Sequence, residues 1–191
     1  CGFSYLGPRM SLAMAIKLYR LPEKTKHIFK PIEQKDIKQV TNLLNEHLKE
    51  YKLKQIFSEA DVKHWLSYQD KVVYTFVKHS EGKDPKVTDF FSFYSLPSTV
   101  LGQGSDKHKT IFAAYNYYSV ATTMDIKELI QEALISAKNE GFDVYNCLDL
   151  MRNGEVLKDL KFGQGDGKLQ YYLYNYACPT CKPGDIGLIL L

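Results

Sequence analysis

The residues best suited to do chemistry are crowded into the last thirty-one positions, KFGQGDGKLQYYLYNYACPTCKPGDIGLILL. The run GQGDGK at 163–168 offers backbone N–H groups to an anion, but its spacing is wrong for nucleotide phosphates. A phosphate loop has four residues between its glycines, a Ser or Thr after its lysine, and a helix behind it. Here Leu169 and an alternating, strand-like run follow. The glycines read instead as a loop that permits positive φ and turns the Asp166 carboxylate outward, toward a basic partner. Cys178 and Cys181 make a Cys-x-x-Cys pair, half of a tetrahedral zinc site or a redox motif. Cys147 and the scattered histidines do not complete a zinc set at a recognised spacing. Pro183 and Gly184 stand where a thioredoxin-type pair would open its helix, so the two read as turn cysteines. The chain closes on Ile186, Gly187, Leu188, Ile189, Leu190 and Leu191, which have every reason to be buried. Termini are normally polar and frayed. Burying this one takes the Leu191 α-carboxylate inside, and a buried charge is costly unless it is paired or used.

Other candidates are weaker or more diffuse. The five histidines (27, 47, 64, 79 and 108) lie in lysine-rich or turn contexts, with no nucleophile-elbow signature near a serine. They read as surface residues. The fourteen tyrosines carry more information. In FFSFYSLPS at 90–98, strand alternation puts Tyr94 on one face and Phe91 and Phe93 on the other. AYNYY at 114–118 and YYLY at 171–174 add further rings. Such strands either fill a core or wall an extended cleft for a peptide, because tyrosine gives rigid area with a polar tip.

The bulk numbers narrow the setting. A chain of 191 residues with 45% hydrophobic and 25% charged residues can bury a sizeable core as one domain, 1–191. No apolar run approaches the roughly 18 residues of a bilayer span, and residues 1–12 lack the pattern of a signal peptide. A start at Cys1 hints at a piece of something longer. Few, unframed cysteines point to a reducing, cytoplasmic compartment. A net charge of +3 is too small to imply a nucleic-acid partner, and none is expected. Residues 17–54 do hold ten Lys or Arg against five Asp or Glu, but without the interleaved aromatics of a single-strand binder.

The elements that must position these residues follow from periodicity. Residues 15–21 alternate and stop at Pro22, which predicts a strand. Pro31 and Glu33 open a helix with Ile37, Val40, Leu44 and Leu48 on one face. Ser58 and Asp61 form a capping box for a shorter helix carrying Val62, Trp65 and Leu66. Strands 72–78 and 87–96 flank the turn-rich 80–85 as an antiparallel hairpin, and 110–122 is a third strand. Asp125 caps an amphipathic helix with Ile126, Leu129, Ile130, Ala133, Leu134 and Ala137 inward, stopped at Gly141. A buried strand at 142–148, a brief helix at 155–160, and strands at 169–176 and 187–191 complete the series. The order predicts an α/β (α+β) fold with a mixed, mostly antiparallel central sheet flanked by helices, the order of acyl-CoA-dependent (GNAT-type) N-acetyltransferases. A complete small N-acetyltransferase is disfavoured, because the glycine cluster leads into a strand rather than a helix.

Five stretches together resemble the C-terminal half of N-myristoyltransferase, the family that acylates N-terminal glycines. They are IKLYRLP (16–22), TDFFSFYSLPS (88–98), GFDVYNCLD (141–149), LKFGQGDGKLQYYLYNY (160–176) and GLILL (187–191). The resemblance covers essentially the whole chain, and the family enzyme is about twice as long. It implies that the front half, which binds the co-substrate myristoyl-CoA, is missing, so this half holds no cofactor and is inactive alone. It implies a peptide channel lined by Phe3, Tyr94 and Leu190, a Ser98 hydroxyl, and Asn146 near the incoming glycine amine. Gly165, Asp166 and Gly167 would border the path of basic substrate residues. The Leu191 carboxylate would be the general base for direct attack of the amine on the thioester. The implied partners are glycine-initiated peptides and the missing half. Self-association through the surface that half would cover is a further expectation. The alternative is a non-catalytic module that binds glycine-initiated peptides.

Overall fold

The computed structural model describes residues 10–100, 109–165 and 167–190. Its frame is a five-stranded sheet in the order β1-β3-β4-β5-β6. Strands β1 (Lys30–Pro31), β3 (Val73–His79), β4 (Val87–Thr99) and β5 (Thr110–Val120) pair antiparallel, and β6 (Val144–Asn146) joins β5 in parallel. A separate parallel pair joins β2 (Leu53–Lys54) to β7 (Ile186–Gly187). The mostly antiparallel α/β architecture expected from the order of elements is what is found.

Helices cover both faces, as alternating strands require. On one face, α2 (Ile37–Leu48) and α3 (Glu59–Leu66) bring Val40, Leu44, Leu48, Val62 and Leu66 against Phe90, Tyr117 and Tyr118. On the other, α4 (Ile126–Asn139) sets Leu129, Ile130 and Ala133 against Phe91, Phe93 and Tyr74. The predicted caps are in place. The Ser58 hydroxyl accepts from Asp61 N–H, and Asp61 returns a bond to Ser58 N–H at 2.8 Å. Asp125 accepts from Lys127 N–H, and Gly141, at φ +86°, lets the chain leave α4. Trp65, expected inward, is exposed and packs edge-on against His64.

Three predicted strands fail, for one reason. Residues 15–21 lie largely in helix α1 (Leu12–Tyr19), opened by Ser11, whose hydroxyl accepts from Met14 N–H at 3.2 Å. Among the described residues no neighbouring strand offers this segment a ladder, so its Leu, Met and Ala content decides, and these are strong helix formers. Residues 169–176 are irregular, with a turn at Tyr174 and Asn175, and Tyr172, Tyr174 and Tyr176 are exposed. Among the described residues their alternation has no adjacent strand to bury against. The strand expected at 187–191 is reduced to the two residues of β7, and Leu188 to Leu190 run on without a ladder. The helix expected at 155–160 is a 3-10 turn, Asn153–Glu155, continued by turns.

Candidate functional site

The site begins with an irregularity in the sheet. Phe91 faces Ser119 and Phe93 faces Asn116, so two residues of β5, Tyr117 and Tyr118, oppose the single Ser92 of β4. Such a bulge puts consecutive side chains on one side of the sheet. Both tyrosines are buried in the α2/α3 face, with rings 4.6 Å apart. Ser92 closes the gap that the bulge leaves: its hydroxyl donates to Tyr118 C=O at 2.9 Å and accepts from Tyr118 N–H at 3.1 Å. This fixes the Tyr118 ring, and its phenol oxygen accepts from Ile189 N–H at 3.1 Å.

The C-terminal segment is thereby drawn onto the tyrosine face. Asp185 anchors its approach: its side chain accepts from Lys182 N–H and pairs with Lys52 at 3.1 Å, and its carbonyl accepts from Lys52 N–H. Gly187 then passes so close to α2 that an added Cβ would lie 2.9 Å from Tyr51 Cδ2 and 3.0 Å from Leu48 Cδ2. Beyond it, the Tyr171 hydroxyl donates to Leu188 C=O at 2.9 Å. Ile189 is buried, and Leu190 is 64% exposed.

Tyr94 lies on the same face, stacked on Tyr115 (5.4 Å, 19°) and edge-on to Tyr117 (5.9 Å). The registers Tyr94↔Tyr115 and Tyr115↔Asn146 set Tyr94, Tyr115 and Asn146 in one row across three strands. Strand spacing puts Tyr94 and Asn146 about 10 Å apart. Ser98, opposite Ile111, is exposed and roughly 13 Å further along β4 on the same face. Gly165 and Gly167 lie in an exposed loop with open space where a side chain would be. Phe3, Asp166 and Leu191 lie outside the described residues. The structure thus brings the tail onto the tyrosine face that Tyr94 shares, sets Asn146 two strands away along the row, keeps Ser98 at a distance along β4, and among the described residues shows no hydrogen bond from the glycine loop to them.

The wall of this site is uncharged near neutral pH. Burial pushes the Tyr118 phenol up to about 12 and raises Tyr117. Tyr94 is raised by burial and then by Tyr171, and Tyr171 by burial, against a backbone bond from Leu190. Beside Asn146, burial pushes the Cys147 thiol to about 12 and raises the Tyr145 phenol, which donates to Asn116 Oδ1 at 2.9 Å. A carboxylate or amine brought here meets hydroxyls and apolar rings, which favours the neutral form of each.

The other candidates do not assemble a centre. His79 pairs with Asp36 at 2.9 Å, His27 with Glu128 at 3.4 Å, and His47 lies against Tyr51. These three are half-buried, where surface positions were expected, and none adjoins a nucleophile; His108 lies outside the described residues. No group of three His, Cys, Asp or Glu among the described residues could hold a metal ion. A hollow of about 410 Å³ lies between α2 and the end of β5, lined by Leu43, Glu46, His47 and Thr122, and shares no residue with the tyrosine row. Sequence reasoning missed Tyr118, Tyr171 and Gly187 as the residues that place the tail. A glycine inside an apolar run was the available signal for Gly187; the bulge that aims Tyr118 left none.

Residues 1–187 match the family model for the myristoyl-CoA:protein N-myristoyltransferase C-terminal domain. The chain belongs to the N-myristoyltransferase family. It is 47% identical over 192 residues to a glycylpeptide N-tetradecanoyltransferase of Plasmodium falciparum, covering all of this chain and 45% of that protein. A Dictyostelium discoideum enzyme of the same name is 47% identical, with 46% of its length covered. The chain therefore spans about half the length of the relatives it matches. A Saccharomyces cerevisiae N-myristoyltransferase crystal structure with bound myristoyl-CoA superposes at a TM-score of 0.77 and 33% identity, over 86% of this chain and 44% of that one. A Trypanosoma brucei acetyltransferase, 13% identical with a TM-score of 0.53, shares the fold and covers 76% of this chain. The acetyltransferase-like architecture of the N-myristoyltransferase family is thus present within this half-length chain. Among the described residues no helix is long and apolar enough to cross a membrane.

Proposed function

We propose that this chain is a single acetyltransferase-like domain, 1–191, that serves as the peptide-accepting half of an N-myristoyltransferase. The observation that carries the reading is the pinning of the tail to the tyrosine face that Tyr94 shares, through Ile189 N–H to Tyr118 and Leu188 C=O to Tyr171. In this reading a glycine-initiated peptide runs along the face of Tyr94 and Ser98. Its amine is held near Asn146, and Leu190 and Phe3 close the channel. The loop of Gly165, Asp166 and Gly167 borders the path of basic residues further along the peptide, with Asp166 as their counter-charge.

The tail supplies the base. An α-carboxylate and an α-ammonium differ by about 4.5 pH units in water, so the proton transfer costs roughly 6 kcal/mol there. The uncharged wall narrows that gap from both sides, because desolvation raises an acid and lowers an amine. The Leu191 carboxylate takes a proton of the ammonium, the free amine attacks the thioester carbonyl of myristoyl-CoA, the C–S bond breaks, and the second proton shed by the nitrogen goes to the departing coenzyme A thiolate. That co-substrate belongs to the N-terminal half, so this half binds no cofactor and has little or no activity alone. A cytoplasmic setting, no nucleic-acid partner, and self-association through uncovered apolar surface complete the reading. Exposed Leu12, Ile16, Tyr172 and Tyr174 are the residues such a surface would use.

Calorimetric titration of the chain tests this directly. A glycine-initiated peptide binds and its N-acetylated counterpart does not, while myristoyl-CoA gives no heat. Binding of acyl-CoA without binding of peptide overturns the reading.

A further inference from the structure

The Cys178–Cys181 pair is left over by the acyl-transfer reading, and its geometry is more specific than a turn requires. Both thiols are directed at one acceptor: Cys178 Sγ lies 3.3 Å and Cys181 Sγ 3.6 Å from the carbonyl oxygen of Pro179. The chain between them therefore turns so that the two sulfurs share one side, as closure of a disulfide over two intervening residues demands. Their accessibilities differ. Cys178 is exposed and Cys181 half-buried against the α2/α3 face. Burial, and then the neighbouring Cys178 thiol, hold Cys181 above its usual value, so the exposed Cys178 is the thiol placed to react first. Cys147 is the contrast. Burial pushes its thiol to about 12, and its sulfur donates to Leu148 C=O, so it is protonated and has no thiol partner among the described residues.

We propose that Cys178 and Cys181 are an oxidisable dithiol that closes to a reversible intramolecular disulfide when it meets hydrogen peroxide. The Cys178 thiolate attacks the peroxide oxygen, the O–O bond breaks, and Cys178 becomes a sulfenic acid as one water leaves. The Cys181 thiolate then attacks the Cys178 sulfur, the S–S bond forms, the S–O bond breaks, and a second water leaves. Two thiols give up two electrons and two protons, and the peroxide is reduced to two waters. The cross-link falls immediately before Lys182, whose N–H donates to Asp185 at 3.0 Å at the start of the turn into β7. The modification thus sits on the segment that delivers the tail, although the proposal stands whether or not Leu191 is a base.

The test is limiting hydrogen peroxide on the purified chain, followed by alkylation in denaturant and peptide mapping. The expected product has lost two hydrogens within residues 178–181, regains them with dithiothreitol, and leaves Cys147 alkylated. Oxidation at Cys178 should outpace Cys147 at least about tenfold. In Cys181→Ser the resolving thiol is gone, and a sulfenic-acid probe such as dimedone should label Cys178. Full alkylation of both cysteines after oxidation, a bridge to another cysteine, or direct passage of Cys178 to sulfinic acid in the unsubstituted chain overturns the proposal.

Discussion

Two segments, residues 15–21 with their alternation and the apolar run 187–191, both read as strands, and the fold treats them in opposite ways. The first is largely an exposed helix that buries only Ala15. The second has just two residues of ladder, yet it is drawn into the core by Tyr118, Tyr171 and the close passage of Gly187 under α2. Alternation states what a segment could bury; neighbours decide whether it does. The tail has two tyrosine hydroxyls and a glycine-sized gap waiting for it. The helix has its own cap and, among the described residues, a single lysine bond, from Lys161 to Leu18 C=O.

The contrast can be broken by substitution. The largest effect should come from Gly187→Val, which forces a side chain into Tyr51 and Leu48. Overpacking of this kind costs about 3 kcal/mol at its upper range, a fall of roughly 6–12 °C in Tm for a chain of this size. Thermal unfolding measures it, and an unchanged Tm would mean that the tail is not held under α2. Tyr118→Phe should cost about 1–2 kcal/mol, since Ile189 N–H is left buried without an acceptor. Hydrogen exchange at Ile189 should accelerate in the same variant.

A smaller effect is set by pH. The Lys182 N–H and then the Lys52 ammonium hold the Asp185 carboxyl below its ordinary value. A depressed acid contributes stability above its unfolded value and loses it as pH falls through the folded one. Below about pH 4 amide exchange at Lys182 and Lys52 should therefore quicken, while global unfolding is little affected, because this pair is exposed. The smallest effect belongs to the helix: Ile16→Ser and Leu18→Ser should each change the stability of the chain by less than about 0.5 kcal/mol. A larger loss would show that this face is already covered in solution.

What the sequence revealed divides along the same line. Helix faces, caps and the β3–β4 hairpin were legible because their causes are local: Ser58 and Asp61 are three residues apart, and Val40, Leu44 and Leu48 share a stripe. Tyr94 could be nominated from its alternation and Asn146 through the family resemblance alone, but their common row depends on two registers joining three strands. The role of Tyr118 was illegible, because the bulge opposite Ser92 inverts the face that strict alternation assigns it. Residues 169–176 misled for the complementary reason. Their pattern is that of a strand, and among the described residues no strand partner lies beside it.

The central claim is that the pinned tail presents a catalytic carboxylate. Its most direct test is to delete Leu191, or append one residue after it, in the polypeptide that joins this chain to a myristoyl-CoA-binding half. Single-turnover acyl transfer to a glycine-initiated peptide should fall by about 10²–10⁴-fold, with peptide affinity nearly unchanged. Transfer at the original rate after either change would contradict the account.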